Sequence, residues 1–173
     1  MPLVAQNLRR EEQEQYYAGK KRQHTVKSQV VVDEVTGQGV DVSGGVPGRK
    51  ADITLLKDAG VQNELPDGVG MIGDLGYKGI EKMLPPGLGA TPRKKPRGKP
   101  HPPENREYNR AFSSRRIIAE MFIGRMRWYQ SITQTDRNHR RLLDERRAAV
   151  VGLANYQIAL RLPAGWVTSN VAA

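Results

Sequence analysis

The 173-residue chain contains no cysteine. Disulfides, thiolate nucleophiles and cysteine-ligated zinc are therefore excluded, and an intracellular setting is the default expectation. Also lacking is any apolar run near the roughly 20 residues that a membrane-spanning helix needs, so no membrane partner is expected. The N-terminus reads Met1-Pro2-Leu3-Val4-Ala5 and turns polar at Gln6, unlike a secretory leader. Apolar residues are scarce at 38%, while glycine and proline number 18 and 11. That balance predicts one modest α/β core with much irregular chain.

Acidic residues are scarce in one place in particular. Residues 93 to 147 hold 16 lysines and arginines against 6 acids, and the rest of the chain holds 12 of each. The whole net charge of +10 thus sits in one stretch, the distribution that phosphate-backbone binding requires. A generically basic surface would scatter it.

Several elements can be placed along the chain. Residues 5 to 16, with Glu11, Glu12 and Glu14, read as a polar linker or frayed turn, and Tyr16 to Lys21 as a turn. Alternation with β-branched residues predicts a strand over His24 to Val32. A turn at Thr36-Gly37 leads into a second, antiparallel strand over Gly39 to Ser43. Ile53, Leu55, Leu56 and Ala59 are spaced as in a helix stopped by Gly60. Val69 to Asp74 is a short apolar run ending in an acid. Pro85 to Pro103 holds seven prolines interleaved with Arg93, Lys94, Lys95, Arg97 and Lys99, and is expected to be an extended basic loop without packed elements. A long helix follows over Glu104 to about Gln130, with Tyr108, Phe112, Ala119, Phe122, Met126 and Tyr129 as its buried stripe. The last helix runs from about Arg140 to Leu162, carries Leu142, Leu143, Val150, Leu153 and Ile158, and is closed by Pro163.

Two acids stand out by position. Asp74 ends the run Val69 to Gly73, at the C-terminal end of an expected strand, where open α/β sheets place ligands. Its flanking glycines leave room for a metal or a phosphate; an ordinary turn aspartate is the plainer alternative. Glu120 lies off the apolar stripe of the long helix, one turn before Gly124, whose presence costs about 1 kcal/mol of helix propensity. Something approaching the helix there would explain the glycine; a surface ion pair with Arg116 is the alternative. Carboxylates of this kind hold hard divalent cations, and two such ions can bracket a phosphodiester. Spacing and charge alone reach a possible metal-dependent nuclease and no further.

Five ordered blocks add a resemblance. Tyr16-Tyr17-Ala18-Gly19-Lys20-Lys21-Arg22-Gln23-His24-Thr25-Val26-Lys27 resembles the YYSGKKKxHTxK motif of insertion-sequence transposases of the DDE superfamily related to Harbinger elements. Val46-Pro47-Gly48 with Asp52-Ile53-Thr54-Leu55-Leu56 is similar to their PGSxHDxxLL segment, Gly73 to Tyr77 to GDxGY, Lys94 to Gly98 to KKPRG, and Arg115 to Arg125 to RRxxVExxxGRxK. The resemblance implies an RNase H-like α/β fold and DNA cleavage and strand transfer at inverted element ends. It also implies Mg²⁺ (or Mn²⁺) as cofactor, with Asp74 and Glu120 as catalytic metal ligands. Arg93, Lys94, Lys95, Arg97, Lys99, Arg116, Arg125 and Arg127 become the candidate DNA contacts. Terminal inverted repeats and target DNA are the implied partners, with a homo-oligomer possible and a cytoplasmic, nucleoid-associated location.

The departures matter as well. Ala51 stands where the family has histidine, so Asp52 is read as a helix-start residue and not a catalyst. The family's first catalytic aspartate would fall at or before Met1, so the fold is expected to be incomplete, its first central strand missing or truncated. The organisation expected is a polar remnant over 1–15, a catalytic core over 16–162 with the basic loop at 85–103, and a tail over 163–173. The chain would then be the second frame of an element that joins two frames by frameshifting, a decayed product, or one with a mis-called start, and the missing N-terminal part as a separate or frameshifted product is a further partner. The alternative is a catalytically dead, DNA-binding remnant that regulates a full-length transposase.

Overall fold

The computed structural model describes residues 10–18, 22–134 and 142–161. It is mixed α/β, with small two-stranded sheets, and divides into two compact units, Met1–Arg49 with Ala119–Ala173, and Lys50–Ile118. The position expected for a first aspartate, residues Gly19 to Lys21 of the first motif, the outer ends of the last helix and the 163–173 tail lie outside the described residues.

The first unit opens with helix α1 (Arg10–Tyr16), a correction to the linker expected there. Its run of Glu and Gln favours helix by straight-chain propensity, which outweighs the polarity that suggested a loop. Strand β1 (Tyr17–Ala18) pairs antiparallel with β2 (Gln23–His24), β3 (Val26–Lys27) with β6 (Val46–Pro47), and β4 (Val30–Val32) with β5 (Gly39–Val42). The single strand expected over His24 to Val32 is therefore three short ones. At the break, Gln29 and Ser43 pair outside a regular ladder. The Gln29 amide donates to Ser43 Oγ at 2.8 Å, and the Ser43 amide to the Gln29 carbonyl at 2.9 Å. The turn between β4 and β5 is set by Asp33, whose Oδ1 accepts from the Thr36 amide and hydroxyl at 2.6 and 2.7 Å. Gly37 completes it at φ 72°, a conformation that costs other residues more.

The core of this unit joins Phe122 and Met126 to Val150, Val151, Ala154 and Ile158 of helix α5 (Leu143–Ala159), with Val30, Val32 and Val42 packed against it. The buried α5 residues recur at helical spacing, but Val151 and Ala154 carry the stripe while Leu142 and Leu153 are exposed. Arg147 also lies on that buried stripe, held by Asp144 at 3.1 Å. Asp144 Oδ1 additionally accepts from the Gly45 amide at 2.8 Å, so this basic residue is committed to the fold. Asn155 locks α5 to β5, its amide accepting from Gly39 N–H and donating to the Gly39 carbonyl, both at 2.8 Å. Gly39 must be a glycine here, because a Cβ would lie 2.6 Å from the ring of the fully buried Phe122.

The second unit begins with helix α2 (Asp52–Ala59), which buries Leu55 and Leu56 and ends on Gly60 at φ 75°, as the spacing predicts. Strand β7 (Met71–Ile72) pairs in parallel with β8 (Gly89–Ala90). A strand thus forms inside the Pro-rich segment, correcting the expectation that no packed element could. Glycines allow close approaches on both sides of it: a Cβ on Gly70, just before β7, would collide with the Leu88 carbonyl, and one on Gly89 would fall 2.8 Å from Glu81 Cα. Residues 103–118 of helix α3 (Pro103–Arg127) complete this unit, and its remaining turns belong to the first. The long helix matches expectation within a few residues. Phe112, Phe122 and Met126 of its apolar stripe are buried, Tyr108 and Ala119 half-buried. Tyr129 packs on the core from just before the one-turn helix α4 (Gln130–Thr133). Among the described residues, no helix is long and apolar enough to cross a membrane.

Candidate active site

Asp74 lies two residues past the end of β7, at the C-terminal edge of a parallel pair, where strand carbonyl ends leave room for ligands. It caps a single 3-10 turn over Leu75–Tyr77: its Oδ1 accepts from the Gly76 amide at 2.7 Å. The Tyr77 amide returns to the Asp74 carbonyl at 3.0 Å. The carboxylate is thereby fixed by its own backbone while the residue stays exposed.

The glycines around it have a different use from the one the sequence suggested. At Gly73 a Cβ would stand 2.6 Å from Tyr77 Cβ, so that glycine lets the tyrosine fold back across the strand end. At Gly76 a Cβ would collide with Asp52 Oδ2 and lie 3.0 Å from Asp74 Oδ1. The space over Gly76 is thus occupied by the Asp52 and Asp74 carboxylates. Asp52 does start α2, as expected, where its charge suits the helix N-terminus. Its carboxylate nonetheless reaches the same glycine as Asp74, a proximity that sequence reasoning missed. The signal was present in the second glycine of Gly73-Asp74-Leu75-Gly76-Tyr77, whose partner could not be named without the fold.

Tyr77 reports on this surrounding. Burial pushes its hydroxyl up from 10.0 to about 12, and the negative charges of Asp52 and then Asp74 add to the rise. Asp74, Leu75 and Gly76 also line an open recess of about 340 Å³ with Pro92, Asn109, Ser113 and Arg116. Asn109 builds one wall by clamping the backbone of Arg93, accepting from its amide at 2.8 Å and donating to its carbonyl at 2.9 Å. The Arg93 guanidinium sits 4.5 Å over the Tyr108 ring and donates to Asn105 Oδ1 at 2.9 Å. This DNA-contact candidate is thus tied to helix α3. Lys94, Lys95, Arg97 and Lys99 are exposed, as is Arg127, whereas Arg116 and Arg125 are half-buried.

Glu120 is exposed on α3, one helical turn after Arg116. At Gly124, one turn further, a Cβ would meet nothing within 4 Å. The glycine is therefore not demanded by packing among the described residues. Those residues include no group of three or more acids or histidines placed to hold a metal. What the site offers is oxygen chemistry, an exposed carboxylate oriented by one backbone N–H, which is the donor type hard divalent cations take.

Comparison with known proteins agrees with these motifs. Residues 4–155 match the family model described as DDE superfamily endonuclease. A probable transposase for insertion sequence element IS702, from Microchaete diplosiphon, is 35% identical over 150 residues, covering 86% of this chain and 52% of the relative. The chain thus spans about half the length of the curated relative it matches. No solved structure matches. The chain belongs to the DDE superfamily endonucleases.

Proposed function

We propose that this chain is catalytic-core polypeptide of a transposase that cuts and joins DNA at the inverted ends of its insertion sequence, with Asp74 and Glu120 as the acids that hold Mg²⁺ or Mn²⁺. The observation that carries the reading is Asp74 itself: exposed, oriented by the Gly76 amide, and set in a recess with Arg116. Glu120 follows Arg116 by one helical turn, so the two project from neighbouring positions of one helix face. A bound divalent cation would supply activation of the attacking oxygen and stabilisation of the leaving one. Arg116 would offset phosphate charge in the recess, and Gly76 would keep the Asp74 carboxylate turned toward it. The RNase H-like arrangement of the family is part of the same proposal, with the parallel β7–β8 pair as the strand end that presents Asp74.

Exposed Lys94, Lys95 and Arg97 would bind the DNA backbone. Neutralising all three should flatten the dependence of log affinity on log salt by about one unit for each phosphate no longer engaged. An unchanged slope would remove that loop from the interface. DNA binding without any metal-dependent nicking would instead favour the second reading, a catalytically dead remnant that regulates a complete transposase.

A further inference from the structure

Trp128 is the most exposed large apolar side chain among the described residues, at 73%. Such exposure leaves a broad apolar surface in water, and it is not the result of a loose segment. The Trp128 amide donates to the Arg125 carbonyl at 3.1 Å, and the Tyr129 amide to the Met126 carbonyl at 3.1 Å. Tyr129 then packs on the buried cluster of Phe122 and Met126, with its hydroxyl accepting from Gln157 Nε2 at 3.1 Å. Tyr129 anchors the backbone inward while its neighbour's indole faces out. Two arginines lie beside it in the chain, Arg125 three residues before and Arg127 next to it. Arg127, exposed, precedes the indole directly.

A rigidly held aromatic face flanked by arginines suits a base with its own face uncovered, and arginines beside it suit the adjoining phosphates. Bases within a duplex are already stacked on one another and offer no such face. A protein partner for this patch would have to tolerate the positive charge. We infer that Trp128 is a stacking platform for an unpaired base of DNA, seated at the end of the helix that bears Glu120. This inference rests on the DNA-processing role proposed above, and assigns it a specific preference for single-stranded or frayed DNA.

The test uses the whole chain with Trp166→Phe, which leaves Trp128 as the sole tryptophan. A thymine oligonucleotide and a blunt duplex of equal length are titrated, reading indole fluorescence and affinity across salt. Quenching by the single strand is expected. In the parent sequence, Trp128→Ala should weaken single-strand binding about tenfold, within the range of base–aromatic stacking. The salt slope and melting temperature should stay put, and Trp128→Phe should recover most of the affinity. Single-strand affinity unchanged by Trp128→Ala, with salt-sensitive binding intact, overturns the platform and leaves the DNA-processing reading standing. Failure of the wild type to bind either DNA overturns both. A Trp128→Ala protein that loses self-association but keeps its single-strand affinity marks a protein interface and likewise overturns the platform.

Discussion

Gly124 gives a perturbation whose effects on stability and on function should have opposite signs. It lies within α3, one turn after Glu120, and is not among the residues at positive φ. A Cβ there would meet nothing within 4 Å. Alanine is therefore sterically permitted and should stabilise the helix by about 0.5–1 kcal/mol, raising the melting temperature by about 1–4 °C for a chain of this size. Gly152 of α5 is a matched control, since its Cβ would also meet nothing within 4 Å. Gly152→Ala should give the same gain. The two should part in DNA binding. If the open face beside Gly124 is where DNA passes Glu120, a methyl group there displaces a close approach, and about 1 kcal/mol of poorer fit would weaken binding about fivefold. Circular dichroism melts and fluorescence anisotropy on a labelled terminal-repeat duplex measure both quantities. Equal DNA affinity for the two variants would refute the use made of that open face. A lower melting temperature for Gly124→Ala would refute the description of the helix itself.

Other outcomes follow from individual interactions. Asn155→Ala removes both hydrogen bonds to Gly39 and should cost about 2 kcal/mol in urea unfolding while leaving DNA affinity unchanged. Tyr77 keeps its proton in the folded chain up to about pH 12, whereas the unfolded chain loses it near 10.0. Its contribution to stability is therefore whole below pH 10.0 and declines as pH rises toward about 12. Tyr77→Phe should remove that part of the slope, and parallel wild-type and variant curves would contradict the burial described. Gly76→Ala should push Asp52 and Asp74 apart, lowering DNA nicking about 100-fold through misplacement, with little change in melting because the residue is exposed.

Legibility in the sequence followed periodicity. α2 with its Gly60 stop and the buried Phe112, Phe122 and Met126 of α3 were visible because a 3.6-residue pattern is a local property. The β4–β5 hairpin was visible through its turn residues for the same reason. What could not be read depends on distant partners. The strand from His24 breaks where Gln29 meets Ser43, fourteen residues away. β8 pairs amid prolines with Met71–Ile72, eighteen residues earlier, where Gly70 lies against the Leu88 backbone. Local polarity hid α1, and the choice of Val151 and Ala154 over Leu153 on α5 was fixed by what faces that helix. The strand-end position of Asp74 was legible, since it lies two residues past β7. Asp52 is set aside in the sequence because Ala51 stands where the family has histidine, although the fold brings its carboxylate to Gly76.

Nicking of the element's own terminal inverted repeats in Mg²⁺ or Mn²⁺ tests the central claim most directly. Metal-dependent cleavage is the predicted result once the wild-type chain is supplied with the part of the enzyme that carries the first acid, abolished by Asp74→Ala and by Glu120→Ala while salt-sensitive DNA binding is kept. Cleavage that survives either substitution, or that proceeds without a divalent cation, would contradict it.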